Sequence, residues 1–176
     1  MPLRPFPVAL RTGIDICSVA RLQRVLCPTD TLTWREGLNA RFVDKLLTPL
    51  ERQAFWARVE RLASLRQVAG YLAARWAAKE AIIKASTRKL GPLDIIVGME
   101  GRRPFGVILD ENMGEQEEGM AGDGDGLAAH DLSGLNGQVV QLSLSHEEEY
   151  AIAVCLVPDE PSCAPLSLSS LSSPAD

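Results

Sequence analysis

The sequence predicts an α+β fold in which a small antiparallel sheet packs against one long central helix. Residues 64–89 carry apolar side chains at intervals of three and four, which is the period of an amphipathic helix. After Gly91 and Pro92 the pattern changes to short β-branched or alternating runs, separated by turn residues. Because the strand patterns are grouped after the helix and do not alternate with helices, we expect an antiparallel sheet.

The first predicted unit is a strand followed by a short helix. Residues 8–16 form an apolar, β-branched run, and Asp15 lies at its end. Ser18 is placed to cap a helix over residues 19–26, because a serine oxygen accepts a hydrogen bond from the first free amides. This unit therefore places a carboxylate where a strand meets a helix.

Two further short helices are predicted before the central one. Residues 28–39 are rich in turn formers and predict a loop, and residues 40–47 show a short helical pattern. Thr48 can then cap a helix whose first position is a proline, with Glu51 completing a capping box. We expect that helix to run to about residue 61.

Four strands are predicted after the central helix, which gives five with the first. In residues 140–145 apolar and polar side chains alternate, which is typical of a sheet covered on one face only. The four runs are 93–99, 105–109, 139–145 and 150–157.

The length of 176 residues and the hydrophobic content of 46% predict one domain over residues 1–157. Residues 110–137 contain a Gly-rich, acidic stretch that we interpret as a disordered insertion within that domain. Its Asp-Gly-Asp-Gly fragment lacks the remaining ligands of a calcium loop. The Ser- and Pro-rich tail at 158–176 is also expected to be disordered.

Composition excludes several classes of protein. The net charge of −5 argues against a broad nucleic-acid surface, which needs clustered cations. No apolar run approaches the ~20 residues of a membrane helix, so we expect a soluble protein with no membrane partner. The cysteines lack zinc-site spacing and indicate reduced, intracellular thiols; they are Cys17, Cys27, Cys155 and Cys163.

The N-terminus favours a mitochondrial location, with the cytoplasm as the alternative. Arg4 and Arg11 are present and no acidic residue precedes Asp15, which is a bias of organelle transit peptides. The early prolines Pro2, Pro5 and Pro7 and the strand that follows leave little room for a cleaved segment.

Three groups of residues could carry chemistry, and each has an alternative interpretation. Asp15 could be a plain strand-end or capping acid. Lys79, Glu80 and Lys84 could form a solvated helix face, with Glu80 and Lys84 a favourable pair four residues apart. His146, in a turn after an alternating strand, could be an exposed polar residue. Glu80 and Lys84 lie near the core-facing edge of the helix, where a charge needs a partner or a ligand.

Taken together and in this order, three segments resemble the holo-acyl-carrier-protein synthase family. Its members carry a GID-I-xx-V/I-x-R segment near the start, an R-F/W-AAKEA-xx-KA helix midway and an S-I/L-SH-xxx-YA-xA strand pair near the end. The matching residues are 13–16 with Val19 and Arg21, 75–85, and 143–146 with Tyr150, Ala151 and Ala153.

The resemblance covers residues 10–156 apart from the insertion, and it includes residues 42–51, which match the family's R-hydrophobic-xx-hydrophobic-TxxE stretch. One departure is mild. The family usually has Gly-Lys-Pro before a strand, and this chain has Arg102, Arg103 and Pro104 there, so the proline and a cation are kept.

The resemblance implies a 4'-phosphopantetheinyl transferase that moves phosphopantetheine from coenzyme A to a serine of apo acyl carrier protein, releases adenosine 3',5'-bisphosphate, and supports fatty acid and lipoate synthesis. It implies magnesium held by Asp15 and Glu80, with manganese as the alternative ion. Two carboxylates suit this hard cation, because substrate phosphates and water supply its remaining oxygen ligands.

The resemblance also implies roles for further residues. Glu80 and Lys84 would be catalytic, and the general base would be Glu80 or a metal-bound water. Arg75 and Lys84 would bind the phosphates of coenzyme A. Arg103 and Pro104 would lie near its adenine, and His146 near its nucleotide end. Arg21 matches the family's docking residue for the acidic carrier protein, and we add Arg24 from its spacing on the same helix.

Bacterial members of this family form trimers with active sites between subunits, which implies a homotrimer with Asp15 and Glu80 on different faces of a shared cleft. Single-domain eukaryotic relatives serve the mitochondrial carrier protein, and the acidic insertion fits that branch. One alternative is an inactive relative that binds acyl carrier protein or coenzyme A as an assembly subunit. Another is a non-enzymatic domain that associates through the insertion and leaves the three segments unexplained.

Overall fold

The computed structural model describes residues 8–28, 34–110, 127, 132 and 134–159. The helices are α1 Val19–Leu26, α2 Ala40–Leu46, α3 Pro49–Val59 and α4 Leu65–Ala85, with a short 3-10 turn at Pro92–Asp94. The strands are β1 Leu10–Ser18, β2 Ile95–Glu100, β3 Arg103–Leu109, β4 Gly137–His146 and β5 Tyr150–Pro158. The predicted α+β class is confirmed, and element ends shift by a few residues.

Side-chain caps set the helix starts. Ser18 accepts a hydrogen bond from the Arg21 amide at the start of α1, as predicted from its position. Thr48 and Glu51 form the predicted capping box at α3. Asn39 and Ser64 cap α2 and α4 in the same manner, so every described α-helix begins at a residue whose side chain binds a free amide.

The five strands form one antiparallel sheet in the order β1-β5-β4-β3-β2. The first and last strands of the described chain are therefore neighbours, and Asp15 lies opposite Ala153. β4 pairs with β5 so that His146 lies opposite Ala151. This register places the end of β4 and the start of β5 beside the start of α1.

Helix α4 crosses one face of the sheet at close range. Its buried face is largely alanine, including Ala73, Ala77, Ala78 and Ala81. A Cβ on Gly13 of β1 would clash with the carbonyl oxygen of Ala81, so only glycine permits this approach. The glycine of the first motif thus brings Asp15, two residues further on, close to α4.

A buried ion pair lies between α3 and α4. Lys79 Nζ lies 2.5 Å from Glu51 Oε2, and both side chains are 1% exposed. Lys79 also donates to the carbonyl oxygens of Leu46 and Pro92, and Glu51 accepts from the Val97 amide. The interpretation of Lys79 as part of a solvated helix face is therefore wrong, because this lysine is buried and donates hydrogen bonds to Glu51 and to two backbone carbonyl oxygens.

The outer face of the sheet, opposite α4, is divided into a covered and an uncovered part. Over β2 and β3, Leu127, Leu132 and Leu135 pack with side chains of α3, and the Met99 amide donates to the Leu127 carbonyl. The sequence reasoning did not anticipate these contacts. Residues 111–126, 128–131 and 133 of the predicted insertion, and the predicted tail beyond residue 159, lie outside the described residues. Over β1 and β5 no described residue covers this face, and its apolar side chains are exposed; we call this part the uncovered sheet face.

Over the described ranges, no helix is long and apolar enough to cross a membrane. Cys17 and Cys155 are buried free thiols, and burial raises the pKa of both. Cys163 lies outside the described residues.

Candidate active site

Two of the three motif segments meet beside Lys84. Lys84 Nζ lies 2.6 Å from Asp15 Oδ1 and 3.4 Å from the Ile14 carbonyl oxygen. Asp15 is only 15% exposed, whereas Lys84 is 52% exposed and has its ammonium at the surface. The hydrogen bond that Lys84 donates to Asp15 raises the pKa of Lys84, and the charge of Glu80 acts in the same direction. Asp15, Glu80 and Lys84 therefore form one cluster, which we call the acid–lysine cluster.

This cluster lies within a single chain. Lys84 pairs with Asp15 of the same chain, and the charge of Glu80 raises the pKa of the same ammonium. The cause is the close approach of β1 to α4 at Gly13. Of the residues with described side chains, no three from His, Cys, Asp and Glu converge as a complete metal site.

A cavity of about 690 Å³ opens at the N-terminal half of α4. Four arginines line it, namely Arg58, Arg66, Arg75 and Arg102. The apolar lining comes from the rings of Tyr71 and Pro104 and from Leu62, Leu144, Met99 and Val19. His146, Glu147 and Glu148 complete the lining. Cations beside flat apolar walls suit a ligand that carries both phosphates and a ring. We call this cavity the arginine pocket.

Arg75 is the most deeply placed cation of the arginine pocket. The residue is 7% exposed, and its guanidinium carbon lies 3.5 Å from the centre of the Tyr71 ring. Its Nε is buried and has no hydrogen-bond partner among the described residues. Burial raises the pKa of Tyr71, and the Arg75 charge opposes that shift. A buried donor left unpaired is costly, so Arg75 is suited to an anionic ligand.

The turn between β4 and β5 closes one side of the pocket. His146 and Glu147 line the wall, and Arg66 donates 2.8 Å to the Glu148 carbonyl oxygen and lies 3.4 Å from its carboxylate. The predicted histidine at the mouth of a hairpin is therefore found at a pocket wall.

The structure brings some predicted residues together and leaves others apart. Arg75, Pro104 and His146 line the arginine pocket, but Lys84 does not, and Arg102 lines it where Arg103 was expected. In the hairpin between β2 and β3 the side chain of Arg103 is exposed and outside the lining.

Sequence reasoning missed several pocket residues, including Arg58, Arg66 and Tyr71. Arg66 and Tyr71 precede the recognised helix motif, and only their position one to three turns before Arg75 on the same predicted helix could have indicated them. Arg58 comes from α3, whose packing against α4 no local pattern specifies.

The predicted docking residues lie on α1. The Arg21 guanidinium is 5.4 Å from the centre of the Trp76 ring and donates to Cys17 Sγ at 3.6 Å. Its residue remains exposed, as does Arg24 in the last turn of α1. Both cations are therefore accessible to a partner.

The arginine pocket and the acid–lysine cluster are separated within one chain. Arg75 and Lys84 are nine positions apart on α4, which is about 13 Å along the helix axis. Val19 at the pocket and Asp15 in the cluster are four positions apart, again about 13 Å along an extended strand.

Comparisons with known proteins give one family. Residues 11–155 match the model of the 4'-phosphopantetheinyl transferase superfamily. A protein of Koribacter versatilis named holo-acyl-carrier-protein synthase is 32% identical over 155 residues, covering 85% of this chain and 98% of the relative.

Solved structures agree with that family. The holo-ACP-synthase of Plasmodium yoelii has a TM-score of 0.51 and 25% identity, covering 83% of this chain and 91% of that one. A Bacillus anthracis holo-acyl-carrier-protein synthase, solved in complex with CoA (3',5'-ADP), has a TM-score of 0.51 and 23% identity, covering 84% and 95%, and shares the fold.

Proposed function

This chain belongs to the 4'-phosphopantetheinyl transferase superfamily, and from that premise we propose that it is a holo-acyl-carrier-protein synthase. It transfers 4'-phosphopantetheine from coenzyme A to a serine of apo acyl carrier protein and releases adenosine 3',5'-bisphosphate. The observation that carries this proposal is the acid–lysine cluster, in which residues of two motif segments, Asp15, Glu80 and Lys84, meet in space. Relatives that match nearly their whole length bear this name.

The reaction is a phosphoryl transfer, so the protein's task is positioning and charge stabilisation. The serine oxygen bonds to the phosphorus that carries pantetheine, and the bond from that phosphorus to the adenylate-side oxygen breaks. Lys84 stabilises the negative charge that develops on the phosphate oxygens. The proton of the serine hydroxyl passes to Glu80, the carboxylate of the cluster on α4.

Asp15 and Glu80 would hold a magnesium ion, or manganese in its place. The residues fit such an ion, because the Asp15 side chain is 15% exposed and two protein carboxylates leave ligand positions for substrate phosphates. When bound, the ion neutralises charge on the pyrophosphate. Lys84 would then move from Asp15 toward the substrate.

We place coenzyme A in the arginine pocket, with its phosphates on Arg75 and other pocket arginines. Arg75 supports this placement, because it lines the cavity and its buried Nε has no hydrogen-bond partner among the described residues. Pro104 and His146 line the same cavity. We retain Arg21 and Arg24 as contacts for the acidic carrier protein.

We further propose a homotrimer whose active site is completed between subunits. In one chain, Arg75 of the pocket and Lys84 of the cluster are about 13 Å apart along the axis of α4, and a neighbouring subunit would bring a second pocket to the cluster. The uncovered sheet face supplies an apolar surface for association: its exposed side chains on β1 and β5 are Leu10, Ile14, Ile16, Tyr150, Ile152, Val154 and Leu156. Contiguous exposed apolar patches typically mark protein interfaces.

The Ile152→Lys variant is expected to behave as a monomer and to lose transferase activity. A buried, unpaired ammonium is costly in an apolar interface, and Ile152 lies opposite Ile16 at the centre of the patch. Size-exclusion chromatography with light scattering should give three times the 19.1 kDa chain mass for the wild type and one chain for the variant. Leu93→Lys, at an exposed apolar residue outside the sheet, is the matched control. A monomeric, active wild type would contradict the trimer.

Mass spectrometry of apo acyl carrier protein tests the function directly. The carrier is incubated with this protein, coenzyme A and magnesium, and a parallel sample contains a chelator. We expect one phosphopantetheine per carrier with magnesium and none with chelator. Binding of coenzyme A or carrier without transfer would instead support an inactive assembly subunit, and no binding of either would contradict both readings.

We propose a mitochondrial location and a role in fatty acid and lipoate synthesis for the transferase. The arginines and the absence of acids before Asp15 support the location. A fluorescent fusion at the C-terminus distinguishes mitochondria from cytoplasm.

A further inference from the structure

Gly70 is a glycine that the fold itself does not require. It is the one glycine within the described helices and lies in the interior of α4. A Cβ added there would meet no atom within 4 Å, so neither packing nor close approach of another element explains it. A glycine inside a helix destabilises it relative to alanine, because glycine loses more backbone freedom on folding.

The open space above Gly70 belongs to the arginine pocket. Gly70 lines the cavity together with Ala74, one turn further along α4, and Arg66 lies one turn before it. Arg75 lines the same cavity; it is 7% exposed, and its Nε has no hydrogen-bond partner in the described part of the chain. Gly70 and Ala74, which have little or no side chain, thus leave open space in the cavity near Arg75, a buried cation suited to bind an anion.

We propose that Gly70 is a specificity-determining residue, and that the nucleotide of coenzyme A lies directly against α4 in the space its missing side chain leaves. This inference rests on the proposed function. A nucleotide combines phosphates with a flat ring, which matches arginines beside Tyr71 and Pro104. The pantetheine arm has no ring and no charge of its own, so it makes no use of these walls.

Gly70→Ala tests the proposal because it separates stability from binding. Alanine favours the helix and meets no clash in the free protein, so the melting temperature should rise by about 2–5 °C. The dissociation constant for adenosine 3',5'-bisphosphate should rise roughly five- to a hundredfold, as expected when a methyl group fills a packed contact. Gly70→Leu, also a good helix former, should weaken binding further.

Isothermal titration calorimetry with two fragments of coenzyme A identifies which part of coenzyme A lies against Gly70. Adenosine 3',5'-bisphosphate should lose affinity in Gly70→Ala, and 4'-phosphopantetheine should change less than about twofold. Ala40→Leu, at an exposed position of α2 outside the pocket, controls for added side-chain volume on a helix. Unchanged affinity for adenosine 3',5'-bisphosphate in Gly70→Ala would overturn the inference, as would a loss confined to 4'-phosphopantetheine.

The wild-type titration keeps the two proposals distinguishable. If wild type binds coenzyme A and Gly70→Ala binds it equally well, only the role of Gly70 is refuted. If wild type binds neither coenzyme A nor adenosine 3',5'-bisphosphate, the proposed function is refuted and this inference with it.

Discussion

Glu80→Ala is expected to reduce phosphopantetheine transfer by on the order of 10²–10³-fold while the fold remains intact. Glu80 is a carboxylate of the acid–lysine cluster, and loss of a charge that positions phosphates and a cation removes several kcal/mol of transition-state stabilisation. The side chain is only partly buried, so its removal leaves no large cavity. Initial rates of carrier modification measure the first effect, and thermal unfolding measures the second.

The control for Glu80→Ala is Glu36→Ala, which removes an acid at an exposed turn far along the chain from α4. We expect that control to retain wild-type rates. Glu80→Gln keeps the shape and removes the charge, so it should be nearly as inactive as the alanine variant. Retention of more than about a tenth of the wild-type rate in Glu80→Ala would contradict the assignment of this carboxylate to the reaction.

Glu51→Ala is expected to lower the free energy of unfolding by about 3–5 kcal/mol, because it leaves the buried Lys79 ammonium without its counter-charge. It also removes acceptors for Thr48 and the Val97 amide. Lys79→Met should cost less, since the Glu51 carboxylate would keep its three donors from Thr48 and Val97. Urea denaturation followed by circular dichroism gives both values.

The stability of Glu51→Ala should rise with pH. Burial lowers the pKa of Lys79, and the charge of Glu51 opposes that shift in the wild type. Without Glu51 the folded pKa falls further below the ordinary value of 10.5, so between the two values the unfolded chain binds more protons. Stability is therefore lost at low pH and regained as pH approaches the ordinary value.

The surface pair Asp44 and Arg52 provides the comparison for the buried pair. Its atoms are 3.0 Å apart, but both side chains are substantially exposed. Asp44→Ala should therefore cost less than about 1 kcal/mol and show no rise of stability with pH. Equal costs for Asp44→Ala and Glu51→Ala would contradict the role assigned to burial.

Local patterns predicted the elements well. Ser18, Thr48 and Ser64 act through bonds within three residues, so the sequence near each helix start contains the whole cause. The alternation in 140–145 likewise indicated which face of β4 is buried. The ends of the elements were predicted less accurately. The apolar pattern predicted that the central helix runs to Lys89, whereas α4 ends at Ala85.

Contacts between distant segments could not be predicted in the same way. The motif resemblance named Asp15, Glu80 and Lys84, but only the fold shows that Lys84 pairs with Asp15 and that the charge of Glu80 also acts on it. The partner of Lys79 comes from 28 residues earlier, and nothing near Lys79 in the sequence distinguishes it from a surface lysine. Arg102, which lies in the β2–β3 turn, lines the pocket, and the neighbouring Arg103 does not; no local pattern in the sequence distinguishes the two arginines.

The pairing of β1 with β5 has a consequence for the order of events during synthesis. Asp15 is held in register by Ala153, so the residues that meet at this pair are separated by most of the chain. Such non-local pairing is formed late, because a long loop must close before the contact is made. A nascent chain therefore gains a positioned Asp15 only after β5 has left the ribosome.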